Sequence, residues 1–359
     1  MTDQYEHFRG TKPVAGQHRF DSAALAQWMR SHVGDFDGEL SARQFKGGQS
    51  NPTYILEAGG QRWVMRAKPG PAAKLLPSAH AIEREYRVMS ALAQAHIPVP
   101  RMLALCEDEA VIGRAFFIME MVEGRVLWDP ALPGFTPLDR AAVFDEMNGV
   151  MAALHSVDPG KVGLADYGKA GNYFERQIGR WSKQYRASET ETIEAMDLLM
   201  EWLPQHIPPG EEVAVVHGDF RLDNLIFHPA EPRILAVLDW ELSTLGDPLA
   251  DFAYHCMAWK VSPQLFRGVA GLDLASLGIP PLDAYIDAYC RRTGRKGIDN
   301  FDYYLAYNLF RMAGILQGIM KRVAEGTAAS DQAVMMGRAA RPLAELGWQV
   351  ATALQQKTR

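Results

Sequence analysis

The chain has 359 residues, 48% hydrophobic and 22% charged, a composition typical of a folded protein that is large enough for two lobes. Its 37 Lys and Arg residues against 43 Asp and Glu residues give a net charge of −6, which argues against a nucleic-acid partner. The three cysteines are widely spaced, which argues against disulfides and a structural zinc. The sequence shows no signal-peptide pattern and no run of roughly 18 apolar residues, which argues against a membrane partner. We therefore expect a soluble cytoplasmic protein.

The first third of the chain predicts a small sheet with one helix inserted into it. The segment DSAALAQWMRSHV, from Asp21, has the start signal and the apolar spacing of a helix. Residues 42–68 contain β-prone runs separated by Gly-rich turns, a pattern typical of antiparallel hairpins. A second helix is predicted from Ser78, and residues 111–124 again favour a strand.

Beyond residue 137 the pattern is mostly helical. The clear β signals in this part are the segments VAVVH, NLIFHP and RILAVLDW. We therefore predict an α+β fold with two domains. The first, residues 1–121, holds the N-terminal helix and the antiparallel sheet, and the second, residues 122–359, is mainly helical.

Polar residues stand at the ends of these β-prone runs. The stretch VVHGDFRLDNLIF (215–227) contains Asp219 and Asn224, and the next apolar run ends in Asp239. Any one of them alone could mark a turn at a strand end. Together, the oxygens of Asn224 and Asp239 suit Mg²⁺, and Asp219 could accept a proton from an attacking hydroxyl.

The pattern H-x-D-x-x-x-x-N, followed by a β-run and an aspartate, resembles the catalytic loop and metal-binding aspartate of the protein-kinase-like fold. With Gly218 it takes the HGD form of aminoglycoside-phosphotransferase-like and choline-kinase-like small-molecule kinases. The resemblance implies a bilobal fold with a small antiparallel-sheet N-lobe and a larger helical C-lobe, and ATP and Mg²⁺ as cofactors. It makes Asp219 the base, and makes Arg221 either a charge stabiliser or a surface ion-pair partner.

The same resemblance implies a phosphate-gripping cation in the segment WVMR. Arg66 stands where the family usually has Lys, and Glu85 would orient it. Lys68 and Glu83 are the second-ranked candidates for these two roles. Alternatively, Glu85 and Glu83 are solvated charges on a helix face that form weak ion pairs.

A phosphate-covering hairpin and an adenine-binding hinge complete the implied nucleotide site. The segment KGGQSNPTY resembles the hairpin, because glycines allow close backbone approach while Ser and Asn offer hydrogen bonds. Its candidate residues are Gly47, Gly48, Ser50 and Asn51. The segment FFIMEMVEG resembles the hinge, where the Glu120 carbonyl and the Val122 amide would pair with adenine.

The small-molecule hydroxyl acceptor would meet the C-terminal helices. Tyr173, Gln177 and Trp181 share one helical face, together with Arg180 and Gln184, and Arg311 interrupts a later apolar helix. Helix packing explains each of these residues singly just as well. The segments NYFERQIGRWSKQY and LDWELSTLGDPLADFAY resemble the kinase-like domain fused to some animal acyl-CoA dehydrogenases and its stand-alone bacterial relatives. This resemblance implies a hydroxy acid or hydroxyacyl-CoA acceptor. Lys74 and Arg311 would then contact the anionic acceptor.

Three functions remain open. The first is an ATP- and Mg²⁺-dependent kinase of a small-molecule hydroxyl, the second an antibiotic phosphotransferase of the aminoglycoside type, and the third a catalytically silent nucleotide-binding module. A protein kinase is disfavoured because the chain reaches Asp247-Pro248, a predicted helix start, without room for an activation segment. Asp251 resembles the aspartate that braces the catalytic loop, and His217 is expected to brace its backbone.

Overall fold

The computed structural model describes residues 10–46, 51–70, 81–169, 171–326 and 331–357. The chain forms two compact units. Unit 1 comprises Met1–Trp128, Lys161–Leu164 and Asp223–Ser243, and unit 2 comprises Asp129–Gly160, Ala165–Leu222 and Thr244–Arg359.

The strands and helices have the following bounds. The strands are β1 (Thr11–Lys12), β2 (Ser41–Phe45), β3 (Thr53–Ala58), β4 (Gln61–Ala67), β5 (Met102–Cys106), β6 (Phe116–Glu120), β7 (Arg125–Val126), β8 (Ala214–Val216), β9 (Leu225–Phe227), β10 (Ile234–Val237) and β11 (Thr244–Gly246). The helices are α1 (Ser22–His32), α2 (Ile82–Gln94), α3 (Pro137–His155), α4 (Tyr173–Ser188), α5 (Glu194–Gln205), α6 (Pro248–Cys256), α7 (Pro263–Phe266), α8 (Leu274–Leu277), α9 (Leu282–Thr293), α10 (Phe301–Ala324), α11 (Asp331–Arg338) and α12 (Ala340–Lys357).

Unit 1 contains an antiparallel sheet of six strands in the order β1-β2-β3-β4-β6-β5. The predicted hairpins are therefore confirmed as β2, β3 and β4, with α1 and α2 as the two predicted helices. Asp21 begins α1 by accepting hydrogen bonds from two backbone amides of its first turn. The α+β fold class, with a sheet-rich part and a helical part, is likewise confirmed.

The alternation of side chains along β4 determines which residues can form a polar site. Trp63, Met65 and Ala67 belong to the hydrophobic core that includes Leu25 of α1. Because successive side chains of a strand point to opposite faces, Arg66 projects from the other face of the sheet. The sheet thus separates a hydrophobic core from a face that carries a buried cation.

Unit 1 also contains a second sheet that the sequence did not connect with the N-terminal part. Its strand order is β10-β9-β7, so a segment beyond residue 222 pairs with the end of the N-terminal segment. The Val237 amide adds a hydrogen bond of 2.8 Å to the Pro98 carbonyl. The predicted boundary at residue 121 therefore differs from the observed units, because strand pairing joins segments that are distant in the chain.

Unit 2 is built around α10, which packs against α4, α5, α6, α11 and α12. The short strands β8 and β11 pair antiparallel, with Val216 opposite Thr244. Asp247 accepts hydrogen bonds from the Leu249 and Ala250 amides and Pro248 follows it, which confirms the predicted start of α6. Among the described helices, none combines the length and the apolar character that a membrane span requires.

Candidate active site

A buried ion pair connects the sheet of unit 1 to α2. Arg66 Nε lies 3.0 Å from Glu85 Oε2, and the Glu85 side chain is only 2% exposed. The Asn51 amide donates a further hydrogen bond of 2.9 Å to Glu85 Oε1. Burial lowers the pKa of Arg66, but the carboxylates of Glu85, Asp239 and Glu241 outweigh it and raise that pKa, so the guanidinium stays charged.

The second-ranked candidates form a separate ion pair. Lys68 Nζ lies 3.1 Å from Glu83 Oε2, with 29% and 38% of these side chains exposed. Lys68 follows the end of β4, and Glu83 lies two positions before Glu85 in α2, so they repeat the pairing in a more solvent-exposed environment. Exposed ion pairs contribute little to stability, whereas a buried charge destabilises the fold when its partner is removed. The structure therefore distinguishes a buried Arg66–Glu85 pair from a peripheral Lys68–Glu83 pair.

The predicted metal ligands are carried by paired strands of unit 1. Asn224 immediately precedes β9, and its carbonyl accepts a hydrogen bond of 2.8 Å from the Leu238 amide, next to Asp239. Asp239 adopts a left-handed backbone conformation, with φ of 64° and ψ of 63°. A non-glycine residue in this region is held there by its surroundings and is common at functional sites.

Asp239 also contacts the buried cation of β4. Arg66 Nη2 lies 2.8 Å from Asp239 Oδ1 and 3.6 Å from Glu241 Oε2. Glu241 did not emerge from the sequence as a site residue, although its position two residues after Asp239 was a usable signal. Arg66 thus joins the carboxylate of α2 to the two carboxylates that follow β10.

The remaining predicted nucleotide contacts are tested only in part by the described residues. Gly47, Gly48 and Ser50 of the predicted hairpin lie outside the described residues, as does Lys74. The Asn51 amide donates to Glu85, and its contact with phosphate stays a prediction. Glu120 ends β6 and Val122 follows outside regular secondary structure, and both are half-buried. Their proposed contacts with adenine remain predictions.

The oxygen ligands fit a hard cation. Asn224 is 8% exposed, and the Asp239 side chain is 35% exposed. No group of three or more His, Cys, Asp and Glu side chains suited to a metal occurs in the part of the chain that the structure describes. One carboxylate and one amide suit Mg²⁺, because this ion takes most of its ligands from water and phosphate.

In unit 2 the backbone before Asp219 is held by a buried carboxylate. Asp251 of α6 accepts hydrogen bonds from the His217 amide at 2.7 Å and from the Gly218 amide at 2.8 Å. The His217 ring accepts from the Asp219 amide at 3.1 Å. Both predicted braces are therefore confirmed as contacts. Gly218 has a φ of 81°, which only glycine adopts without strain, so this residue permits the turn that Asp251 holds.

The carbonyl groups of the same loop are held from α6 and α10. Arg311 Nη2 donates to the Gly218 carbonyl at 2.7 Å. His255 Nδ1 lies 3.3 Å from the Phe220 carbonyl, and burial lowers the pKa of His255 to about 4. The ring is therefore neutral and donates through Nδ1, while its Nε2 accepts from the Tyr285 hydroxyl at 2.8 Å. Hydrogen bonds thus hold the loop backbone on both sides of Asp219.

The carboxylate of Asp219 is held by a cation and a phenol. Arg221 Nε lies 2.8 Å from Asp219 Oδ1, and the Tyr254 hydroxyl donates a short hydrogen bond to the same oxygen. Burial raises the pKa of Asp219, but Arg221 and the Tyr254 hydrogen bond outweigh it and hold that pKa below its usual range. Asp219 is thus ionised at neutral pH, as an acceptor of a proton must be.

The predicted acceptor residues are brought together only in part. The Arg311 guanidinium lies over the Trp181 ring, 5.4 Å from its centroid, and both residues are buried. Tyr173 and Gln177 are half-buried on α4. Arg180 is exposed, and so the predicted helical face is not one continuous surface. Arg311 donates to the Gly218 carbonyl, and its contact with an anion stays a prediction.

The sequence did not predict Tyr254 as a site residue, although Tyr254 contacts Asp219. It lies three residues after Asp251, and such residues share one helix face. That spacing was the available signal once Asp251 was placed beside the loop. The orientation of α6 against the loop, which the sequence does not encode locally, decides the contact.

Comparison with known proteins gives consistent matches. A model described as the phosphotransferase enzyme family matches residues 41–301 of the chain. Acyl-CoA dehydrogenase family member 10 of Mus musculus is 47% identical over 345 residues, which are 95% of this chain and 32% of that protein. The chain thus spans less than half the length of the curated relatives that it matches.

Solved structures are similar to this chain over most of its length. A crystal structure from Ralstonia eutropha JMP134, provisionally named an aminoglycoside phosphotransferase, is 61% identical, with a TM-score of 0.86 over 93% of this chain and 99% of that one. Choline kinase from Cryptosporidium parvum has a TM-score of 0.61 at 14% identity over 94% and 97% of the two chains. Aminoglycoside phosphotransferase APH(4)-Ia, with AMP-PNP and hygromycin B, has a TM-score of 0.58 at 17% identity over 90% and 99%. These similarities show a kinase-like fold.

Removing the cation of the buried ion pair is expected to destabilise the protein. Arg66→Ala leaves the carboxylate of Glu85 buried without it, and the free energy of unfolding should fall by about 3–5 kcal/mol. Lys68→Ala, the matched control, removes the cation of the peripheral pair and should change it by less than about 1 kcal/mol. Urea denaturation measures both variants. Equal losses in the two variants would contradict a special role of burial.

Gly218→Ala is expected to strain the loop. An L side chain at a φ of 81° costs about 1–2 kcal/mol, which should appear as a lower free energy of unfolding. Gly179→Ala is the control, because this glycine lies inside α4 and an added methyl group would meet no atom within 4 Å. That change should be neutral or stabilising by up to about 1 kcal/mol. A neutral Gly218→Ala in urea denaturation would refute the requirement for glycine.

Proposed function

This chain belongs to the phosphotransferase enzyme family, and we propose that it transfers the γ-phosphoryl group of ATP to a hydroxyl of a small molecule. The observation that carries the proposal is the contact of Arg66 with both Glu85 and Asp239. A guanidinium fixed by a buried carboxylate beside a candidate metal ligand is suited to nucleotide phosphates, because it presents several donors in one plane.

The residues divide the chemistry between them. Arg66 would bind phosphate oxygens, while Asn224 and Asp239 would hold Mg²⁺, which neutralises phosphate charge when it is bound. Asp219 would orient the acceptor hydroxyl and take its proton. The acceptor oxygen bonds to the γ-phosphorus as the bond from that phosphorus to the β,γ-bridging oxygen breaks, and ADP leaves. Arg221, which contacts Asp219, would stabilise charge on the transferred group.

Arg66 can contact more partners at once than the lysine that the family usually has at this position. Its side chain is 12% exposed and contacts three carboxylates, whereas a lysine ammonium would be a single point charge. Asp239 would hold Mg²⁺ when the ion is bound, and Arg66, which Glu85 orients, would bind the phosphates. A residue with several donors can serve both partners, which supports an active enzyme over a silent nucleotide-binding module.

The acceptor that we favour is a hydroxy acid or a hydroxyacyl-CoA. This part of the proposal is supported by the match to the acyl-CoA dehydrogenase family member and by the buried Arg311 guanidinium over the Trp181 ring of unit 2, a cation that suits an anionic acceptor better than a polycation. An aminoglycoside acceptor is the second candidate, favoured by the provisional name of the 61% identical structure. The two acceptors carry opposite charges, so one assay distinguishes them.

Asp219→Asn is expected to reduce phosphoryl transfer by about 10²–10⁴-fold, because the amide cannot take a proton. Affinity for the Mg²⁺ complex of a nonhydrolysable ATP analogue should stay within about twofold, since the amide preserves shape and the loop contacts are backbone bonds. Asp283→Asn is the control for loss of a carboxylate, because Asp283 is exposed on α9. Coupled ADP release and calorimetric titration give the two readouts. Unchanged turnover in Asp219→Asn would remove the proposed base.

Acceptor-dependent ADP release will identify the substrate class. We expect at least about tenfold stimulation of ATP turnover over the rate with water by members of a hydroxy-acid and hydroxyacyl-CoA panel, because a bound hydroxyl gains a high effective concentration. Aminoglycosides should give no stimulation. Stimulation by aminoglycosides alone would support the second candidate. If no acceptor raises turnover while Asp219→Ala still binds nucleotide, the silent binding module is favoured.

A further inference from the structure

A buried tyrosine of unit 2 holds the carboxylate that we assign as the base. The Tyr254 hydroxyl donates a short hydrogen bond to Asp219 Oδ1, and the Tyr254 residue is 4% exposed. We propose that Tyr254 is a positioning residue for Asp219, and that Arg311 in turn positions Tyr254. The inference rests on the proposed phosphotransfer, whose chemistry does not itself require a phenol at this place.

The geometry supports orientation by two different anchors. Asp219 Oδ1 contacts Arg221 Nε at 2.8 Å and accepts from Tyr254, while Asp219 Oδ2 accepts from Arg221 Nη2 at 3.2 Å. The Arg221 side chain is 29% exposed and has several rotatable bonds. Tyr254 has two rotatable bonds and is buried, so it loses less freedom in holding one orientation. The phenol is therefore the more rigid of the two anchors.

The direction of the hydrogen bond is determined by electrostatics. Burial, and then the Asp219 carboxylate, raise the pKa of Tyr254 far above its ordinary value, despite opposing effects of Arg221 and Arg311. Tyr254 therefore remains protonated and donates. Burial raises the pKa of Asp219. Arg221, the hydrogen bond from Tyr254 and His217 together lower that pKa below its usual range. The Arg311 guanidinium also interacts with the Asp219 charge.

Arg311 connects the tyrosine to the loop backbone. Its guanidinium lies 5.1 Å from the centroid of the Tyr254 ring and 5.4 Å from that of Trp181. Its Nη2 donates to the Gly218 carbonyl at 2.7 Å. One buried cation on α10 thus holds both the ring that supports the carboxylate and the peptide that precedes it. Cation–π contacts are strongest when desolvated, as they are here.

Tyr254→Phe tests the proposal, because it removes the hydroxyl and keeps the ring that Arg311 covers. ATP turnover with Mg²⁺ and water as the acceptor gives the activity readout. We expect kcat to fall about tenfold, the loss expected for one hydrogen bond to a charged group, with the KM for ATP unchanged. The acidic limb of the kcat profile should move to higher pH, because a cause that lowers the pKa of Asp219 is gone.

The control is Tyr303→Phe. Tyr303 is another buried tyrosine of unit 2, and its hydroxyl donates to the Leu203 carbonyl at 3.1 Å. This variant should retain wild-type kcat and the wild-type acidic limb. If Tyr254→Phe matches Tyr303→Phe in both quantities, Tyr254 has no positioning role and the proposal is overturned.

A second measurement separates this inference from the proposed function. In protein labelled with ¹³C at the aspartate carboxyls, Asp219→Asn identifies the Asp219 resonance, which can be titrated without any turnover. A higher titration midpoint in Tyr254→Phe than in wild type supports the positioning contact, whether or not the wild-type protein hydrolyses ATP. If the wild-type protein hydrolyses no ATP, only the proposed phosphotransfer fails. An unchanged midpoint overturns the positioning contact.

Discussion

The candidate catalytic loop depends on one buried carboxylate. Burying Asp251 costs free energy unless its oxygens are bonded, and here they accept from two consecutive backbone amides and lie 3.2 Å from His155 Nε2. Burial raises the pKa of Asp251, yet His155 and the nearby His217 outweigh it and lower that pKa, so the carboxylate stays charged. The positive φ of Gly218 then sets the direction of the next peptide, which leads to Asp219.

A second buried charge organises unit 1 in a comparable way. Glu85 is bonded by Arg66 and Asn51, and Arg66 extends to the residues that follow β10. In both units, a buried carboxylate binds groups of the candidate site. Such charges contribute more to a unique arrangement than to stability, because their desolvation offsets much of the attraction. This explains why each candidate functional group has a fixed partner.

Local sequence patterns predicted elements well and contacts unevenly. The Gly-separated β-runs predicted β3 and β4, and strand alternation predicted that Arg66 and Lys68 share a face. Which of the two would be buried against α2 followed from the family resemblance and not from spacing. The strand β7, with only two residues, has no periodicity to detect, and so the second sheet of unit 1 was not predicted.

The sequence by itself determined the α+β class, the polar residues at the ends of β-prone runs, and the HGD form that favours a small-molecule kinase over a protein kinase. These features are local, since each depends on side chains a few residues apart. Only the tertiary structure decided that Arg66 meets Asp239, that Tyr254 meets Asp219, and that Arg311 binds a backbone carbonyl. Those contacts join residues 35 to 173 positions apart, and the packing of whole elements determines them.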